Sequence, residues 1–154
     1  MPTTSLTTAE AAVQISHPSA SFWVGTVTYG FRASTPSYND PVHNNQATFS
    51  QFTPYQMAIL DPMMHLWSEL GNIQIVGINN PGYTDNATIL FGNYNATGST
   101  GGVGYFPGDT SPGAANGDVW LNTRLLSTAS IAIGSEDYRV MMHEIGHAFG
   151  LHHP

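Results

Sequence analysis

Cysteine is absent from the 154 residues, which removes both disulfides and thiolate metal ligands. Any transition-metal site must therefore use histidine nitrogen and carboxylate oxygen. Positive charge is scarce as well: Arg32, Arg124 and Arg139 are the three basic residues, against ten acidic ones and a formal net charge of −7. Such a chain cannot build a phosphate-tracking stripe, which argues against nucleic acid as a partner. Charged residues of both signs make up only 8%, against roughly 25% in an average soluble domain, so Ser, Thr, Asn, Gln and backbone must supply the polar surface. No run approaches the roughly 20 apolar residues that span a bilayer. The opening MPTTSLTTAEAAVQ has neither a basic n-region nor a long apolar h-region, and so does not read as a Sec-type signal peptide. What is present is 41% hydrophobic residues and a length suited to one domain with its own core. Composition leaves the cytoplasm, or secretion by a route that needs no N-terminal signal.

The pattern along the chain alternates helices and strands. Thr7 to Glu10 has the form of a capping box and predicts a short helix through Ile15, ending near His17-Pro18. TVTYGF, Thr26 to Phe31, is β-branched and aromatic and predicts a strand. The Pro-, Ser- and Asn-bearing stretch 33–45 reads as a loop. Thr53-Pro54-Tyr55-Gln56 starts a second helix, with Met57, Leu60, Met64 and Trp67 at helical spacing, a kink expected at Pro62 and closure at Gly71. Asn72 to Ile78 and Ala87 to Tyr94 are apolar enough to predict strands buried in a helix-covered sheet. Residues 95–116 have the composition of a linker, but GGVGYFPG (Gly101 to Gly108) within them can form a short exposed edge strand. GDVWLN, Gly117 to Asn122, is a further strand candidate, and Ser135 caps a last helix with Glu136 and Asp137 in its first turn. The order implies an α/β sandwich without internal repeats.

The last twelve residues, HEIGHAFGLHHP, hold four of the seven histidines. His143 and His147, four apart on a helix, project from one face and can converge on one ion. Glu144 can lean over the same site without ligating, where it would take a proton from a metal-polarised water. Gly150 can adopt the left-handed conformation that ends a helix and turns the chain, bringing His153 back as third ligand. A straight helix would instead carry position 153 about 15 Å along the axis from position 143. The five fixed positions of HExxHxxGxxH arise by chance in a chain this size on the order of once in ten thousand or less. His152 competes with His153, and the motif's spacing favours His153. His17, His43 and His65 read as structural or surface residues.

These residues match the metzincin zinc peptidases, whose pattern His143, Glu144, His147, Gly150 and His153 meet in full. The sequence more closely resembles the serralysin group of secreted bacterial proteases: besides HEIGHAFGL and its histidine-proline pair, TAEAAVQIS, LWSEL, ATILFGNY and YFPG look like serralysin counterparts. The resemblance implies a zincin-like N-terminal catalytic subdomain, a twisted mixed five-stranded sheet with one antiparallel edge strand, backed by two long helices. It implies a zinc endopeptidase with Glu144 as the base, acting on protein or peptide as a monomer, without nucleic acid or membrane. The edge strand pairs with extended substrate in that family, which makes Val103, Gly104, Tyr105 and Phe106 the candidates for holding peptide. Family members leave the cell by type I secretion without an N-terminal signal.

The family's pattern continues with a methionine-containing turn beneath the zinc, a nearby tyrosine and, usually, calcium-binding glycine- and aspartate-rich repeats. Met141 and Met142 precede the site and are not that turn. The expectation is therefore a single incomplete catalytic domain over 1–154, with Ca2+ confined to a C-terminal part not in this sequence. A zinc-binding remnant without peptidase activity is the alternative, against which the retained Glu144 argues. A β-rich adhesion module accounts for the Thr, Asn and Gly content but not for the histidine spacing.

Overall fold

The computed structural model describes residues 7–16, 22–37, 49–108 and 116–153. The elements run α1 (Thr8–Ile15), β1 (Thr26–Phe31), α2 (Pro54–Gly71), β2 (Gln74–Gly77), β3 (Ile89–Tyr94), β4 (Gly102–Gly104), β5 (Val119–Asn122) and α3 (Glu136–Ala148). The strands form one five-stranded sheet in the order β2-β1-β3-β5-β4. All neighbours are parallel except β4, which runs antiparallel to β5 at the edge. The expected five-stranded mixed sheet with one antiparallel edge strand is the observed one.

Strand alternation divides the side chains between two faces. Val27, Tyr29 and Phe31 of β1, Ile89 and Phe91 of β3, and Val119 and Leu121 of β5 join Leu60, Met63 and Met64 of α2 and Met141, Ile145 and Ala148 of α3 in one core. Burying each such side chain contributes about 1.5–3 kcal/mol, so this face holds the two long helices to the sheet. Trp67 of α2 stacks on Phe149 just beyond α3, with ring centroids 5.7 Å apart, closing the helix pair at one end. The opposite face carries Trp120, which packs with Tyr94, Tyr105, Val103 and Phe49. Gly92 makes room for that indole: a Cβ there would lie 2.7 Å from a ring carbon of Trp120.

Both capping boxes read from the sequence are present, Thr7 with Glu10 and Thr53 with Gln56. Gln56 also exchanges two hydrogen bonds with Asn93 of β3, at 3.0 and 2.9 Å, which ties the start of α2 to the middle of the sheet. On the other face Asp118 pairs with the Arg32 guanidinium, which lies over the Trp120 ring at 5.4 Å. Its second oxygen accepts the Leu90 N–H at 3.2 Å.

α2 runs from Pro54 to Gly71 with Pro62 inside it, the extent the sequence pattern predicts; buried Leu60, Met63 and Met64 hold both halves to the sheet although the proline removes one backbone donor. Other details differ from the pattern. The terminator of α2 is Asn72 in the left-handed conformation (φ 49) rather than Gly71, a conformation that asparagine tolerates. β3 is buried throughout, as expected, but β2 is largely exposed, since it forms the other edge of the sheet and has a neighbour on one side only. α1 buries none of its residues and is attached at its end: Ser16 bridges Leu151, and Ile15 O accepts the His152 N–H at 2.7 Å. His17, His43 and most of the 33–45 loop lie outside the described residues.

Candidate active site and metal centre

α3 is positioned by its own first turn. The Ser135 side chain accepts the Tyr138 N–H, Glu136 and Asp137 sit at the positive end of the helix dipole, and Asp137 accepts the Ser127 N–H at 2.9 Å. With Met141, Ile145 and Ala148 committed to the core, the helical period turns His143 and His147 toward a cleft of about 970 Å³.

The helix ends in a Schellman motif. Leu151 N–H reaches back to Gly146 O at 3.0 Å, and Gly150 N–H to His147 O at 2.9 Å. Gly150 takes φ +90, where a Cβ would be strained. Leu151 folds onto the Gly146 position, 3.8 Å from where a Cβ would stand there. The reversal carries His153 back to the helix: its Nε2 lies 2.8 Å from His143 Nε2, which is 3.1 Å from His147 Nε2. The candidate ligand atoms of the three histidines all lie within 4.8 Å of one another. Ligand nitrogens on a tetrahedral zinc, at about 2.0–2.1 Å from the ion, stand roughly 3.3 Å apart, close to the 2.8 and 3.1 Å separations from His143.

The donor chemistry fits as well. A carbonyl only accepts, so the 2.6 Å contact between His147 Nδ1 and Leu151 O puts the proton on Nδ1 and leaves the Nε2 lone pair for a metal. Burial, then the neighbouring His147 and His153, then Arg139, hold His143 below its ordinary pKa and favour the neutral ligand form. Glu144, between the two helical histidines, is 7% exposed. Burial pushes its carboxyl up to about 7, against the opposing pull of the Gly104 backbone N–H.

The remaining candidates separate by face. Gly104 lies against α3, and the Phe106 ring stands edge-on to His147 with centroids 5.4 Å apart. The side chains of Val103 and Tyr105 belong instead to the Trp120 cluster on the opposite face. Alternation sends their side chains away from the cleft, and their backbone groups turn to β5, with Tyr105 N–H donating to Asp118 O, so neither residue faces a peptide at the open edge. His152 lines the cleft and its N–H is engaged by Ile15 O, outside the three-histidine cluster. The His65 side chain is 72% exposed on α2, 3.9 Å from Asp61. Two features of the site are not legible in the sequence pattern: the Leu151 carbonyl on His147 and Gly102 beneath Glu144. The one sequence signal among them is the pair of glycines spaced by two, Gly102 and Gly104.

Residues 45–154, well over half of the chain, match the metallopeptidase family M12B, reprolysin-like. The chain belongs to this family of metzincin metallopeptidases. It is similar to metalloprotease AprA of Pseudomonas entomophila (strain L48), 26% identical over 132 residues that cover 84% of the chain and 26% of that protein. It is 32% identical over 132 residues to serralysin of Photorhabdus sp. (strain Az29), covering 83% of the chain and 25% of the relative. Serralysin G of Dickeya chrysanthemi is 26% identical over 134 residues, again covering 83% of the chain and 26% of the relative. The metzincin chain thus spans about a quarter of the length of the curated relatives it matches. Among the described residues, no helix is long and apolar enough to cross a membrane.

Proposed function

We propose that this chain carries the catalytic centre of a serralysin-like zinc endopeptidase. The observation that carries the reading is the convergence of His143, His147 and His153, with buried Glu144 between the two helical ligands. A zinc ion held by these histidines supplies Lewis-acid polarisation of a water and of the scissile carbonyl. His147, held by Leu151 O, and His143, kept neutral, present lone pairs to the ion. Glu144 takes the proton from the attacking water and delivers it to the departing amine. A carboxyl raised toward neutrality is suited to both steps, because it holds and releases the proton near working pH. The outer edge of β4 offers the backbone of Gly102 and Gly104 to an extended peptide, as an added strand, with the Phe106 ring beside His147, while Val103 and Tyr105 turn their backbone groups to β5. On the serralysin resemblance we place the protein outside the cell.

The test is zinc titration of the 154-residue chain, paired with hydrolysis of a casein-type substrate by the longest available form of the protein. One zinc per chain is expected, with affinity reduced at least ten-fold in His143→Ala, His147→Ala and His153→Ala. Glu144→Gln should keep zinc and lose hydrolysis by about 10²-fold or more, as expected for removal of a general base. Unchanged zinc affinity in the histidine variants, or full hydrolysis by the Glu144 variant, would overturn the reading.

A further inference from the structure

The edge strand β4 and the helix α3 lie closer than side chains permit. Gly101 O accepts the Asn122 N–H at 2.8 Å, and Tyr105 N–H donates to Asp118 O at 2.9 Å. Odd-numbered positions of β4 therefore point their polar backbone groups into the sheet, and Gly102 and Gly104 point theirs to the open edge. The pairing of Gly102 with Leu121 and of Gly104 with Val119 puts these two glycines on the face that α3 covers. A Cβ on Gly104 would lie 2.2 Å from the Glu144 carbonyl oxygen and 2.9 Å from His147 Cβ. A Cβ on Gly102 would lie 2.7 Å from Glu144 Cγ and 3.0 Å from Trp120 O.

We propose that Gly102 and Gly104 are positioning residues, which seat the helix bearing His143, Glu144 and His147 directly on the edge strand. This rests on the zinc-peptidase reading above and adds to it the device that sets the distance between base, ligands and peptide-binding edge. Magnitudes decide that the device is specific. To reach even the 3.4 Å at which ordinary contact begins, a Cβ at position 104 drives the Glu144 backbone back by about 1.2 Å. A functional constellation tolerates about 0.5 Å, and a misplacement of about 1 Å can cost roughly 10²-fold in rate. His153 sits beyond the Gly150 turn and not on the helix, so a retreat of α3 opens the histidine triangle. At position 102 the tightest conflict, at 2.7 Å, is with the Glu144 side chain, so a substitution there displaces the base and spares the ligands. The two glycines thus hold different parts of one centre.

The experiment uses the full chain with Gly104→Ala, Gly102→Ala and, as a control on the same segment, Gly101→Ala, whose Cβ would meet nothing nearer than Val140 at 3.4 Å. Zinc affinity and the visible spectrum of the cobalt(II)-loaded protein report ligand geometry without any assay of activity. Gly104→Ala is expected to weaken zinc at least ten-fold and alter the cobalt spectrum. Gly102→Ala and Gly101→Ala are expected to leave affinity within about three-fold and the spectrum unchanged. A double-mutant cycle on the metal-free chain then tests the Gly102 contact: the fall in urea midpoint caused by Gly102→Ala should be at least halved in a Glu144→Ala background, where Cγ is gone. Equal falls in both backgrounds, or a Gly104→Ala protein with wild-type affinity and spectrum, overturn the proposal. A Gly104→Ala chain that fails to fold leaves the Gly102 cycle to decide. A wild-type chain that binds no zinc counts against the peptidase reading, and the metal-free cycle still decides this one.

Discussion

At the residue scale, the centre depends on single atoms in defined places. The proposed ligand His147 has its Nε2 lone pair free because its Nδ1–H donates to one carbonyl, on Leu151. That carbonyl is in place because Gly150 accepts a positive φ and lets the chain reverse. Gly150→Ala should therefore cost about 1–2 kcal/mol in the fold, the penalty of a Cβ in the left-handed region. It should also weaken zinc by more than that loss alone explains, because His153 and the Leu151 carbonyl move together. Urea unfolding of the metal-free chain beside a chelator-competition titration measures both effects. A variant with reduced stability but wild-type zinc affinity would show that His153 does not depend on the turn.

At the scale of elements, two features invite measurement. α2 carries Pro62 on its exposed side, where the ring forfeits a backbone hydrogen bond that packing of Leu60, Met63 and Met64 outweighs. Pro62→Ala restores that donor without opening a cavity and should raise stability by about 1 kcal/mol or more, read as an upward shift in the urea midpoint. The segment after β1 is held differently, by the Asp85 carboxylate, which accepts from Ser34 Oγ at 2.6 Å and from Ala33 N at 3.0 Å. Burial pushes the Asp85 carboxyl up, but Ser34, the Ala33 N–H and the Arg32 charge outweigh it and hold the group below its ordinary value. A carboxyl lowered in the folded state adds stability above its unfolded value of about 3.9 and loses it as pH falls through the lower folded value. The wild-type urea midpoint should accordingly drop more steeply below about pH 4 than that of Asp85→Asn. Parallel curves would show that Asp85 does not contribute in this way.

For the whole molecule, the segment that bears the proposed zinc ligand His153 joins the two ends of the described chain. The segment that carries His153 is bonded through His152 N–H to Ile15 O at 2.7 Å, at the end of α1, a helix with no buried residue of its own. Zinc bound only by the folded state adds RT ln(1 + [Zn]/Kd), about 2.7 kcal/mol at 100 times Kd. Local opening of the His153 segment must break the same site, so zinc should slow hydrogen exchange at the His152 amide as well as raise the melting temperature. A raised melting temperature with unchanged exchange at His152 would separate the ligand segment from α1.

Much of this architecture is written locally. The capping boxes at Thr7 and Thr53, the cap at Ser135, the alternation of Phe31 and Phe91 into the core, and the HExxHxxGxxH spacing each depend on neighbours within a few residues. The sequence pattern alone therefore determines the helices, most of the strands and the set of histidines able to meet. The reading was poorer where a distant part of the chain decides. β2 is exposed because of its place at the sheet edge, although its composition resembles that of a buried strand. Tyr105 is turned away from the cleft by the Trp120 cluster. The glycines of β4 look like loop composition until α3 is laid across them. Periodicity, caps and motif spacing are short-range quantities, and the sequence states them directly. The distance between a strand and a helix more than 30 residues further along the chain is set by packing, and only the tertiary structure shows that it leaves no room for a Cβ.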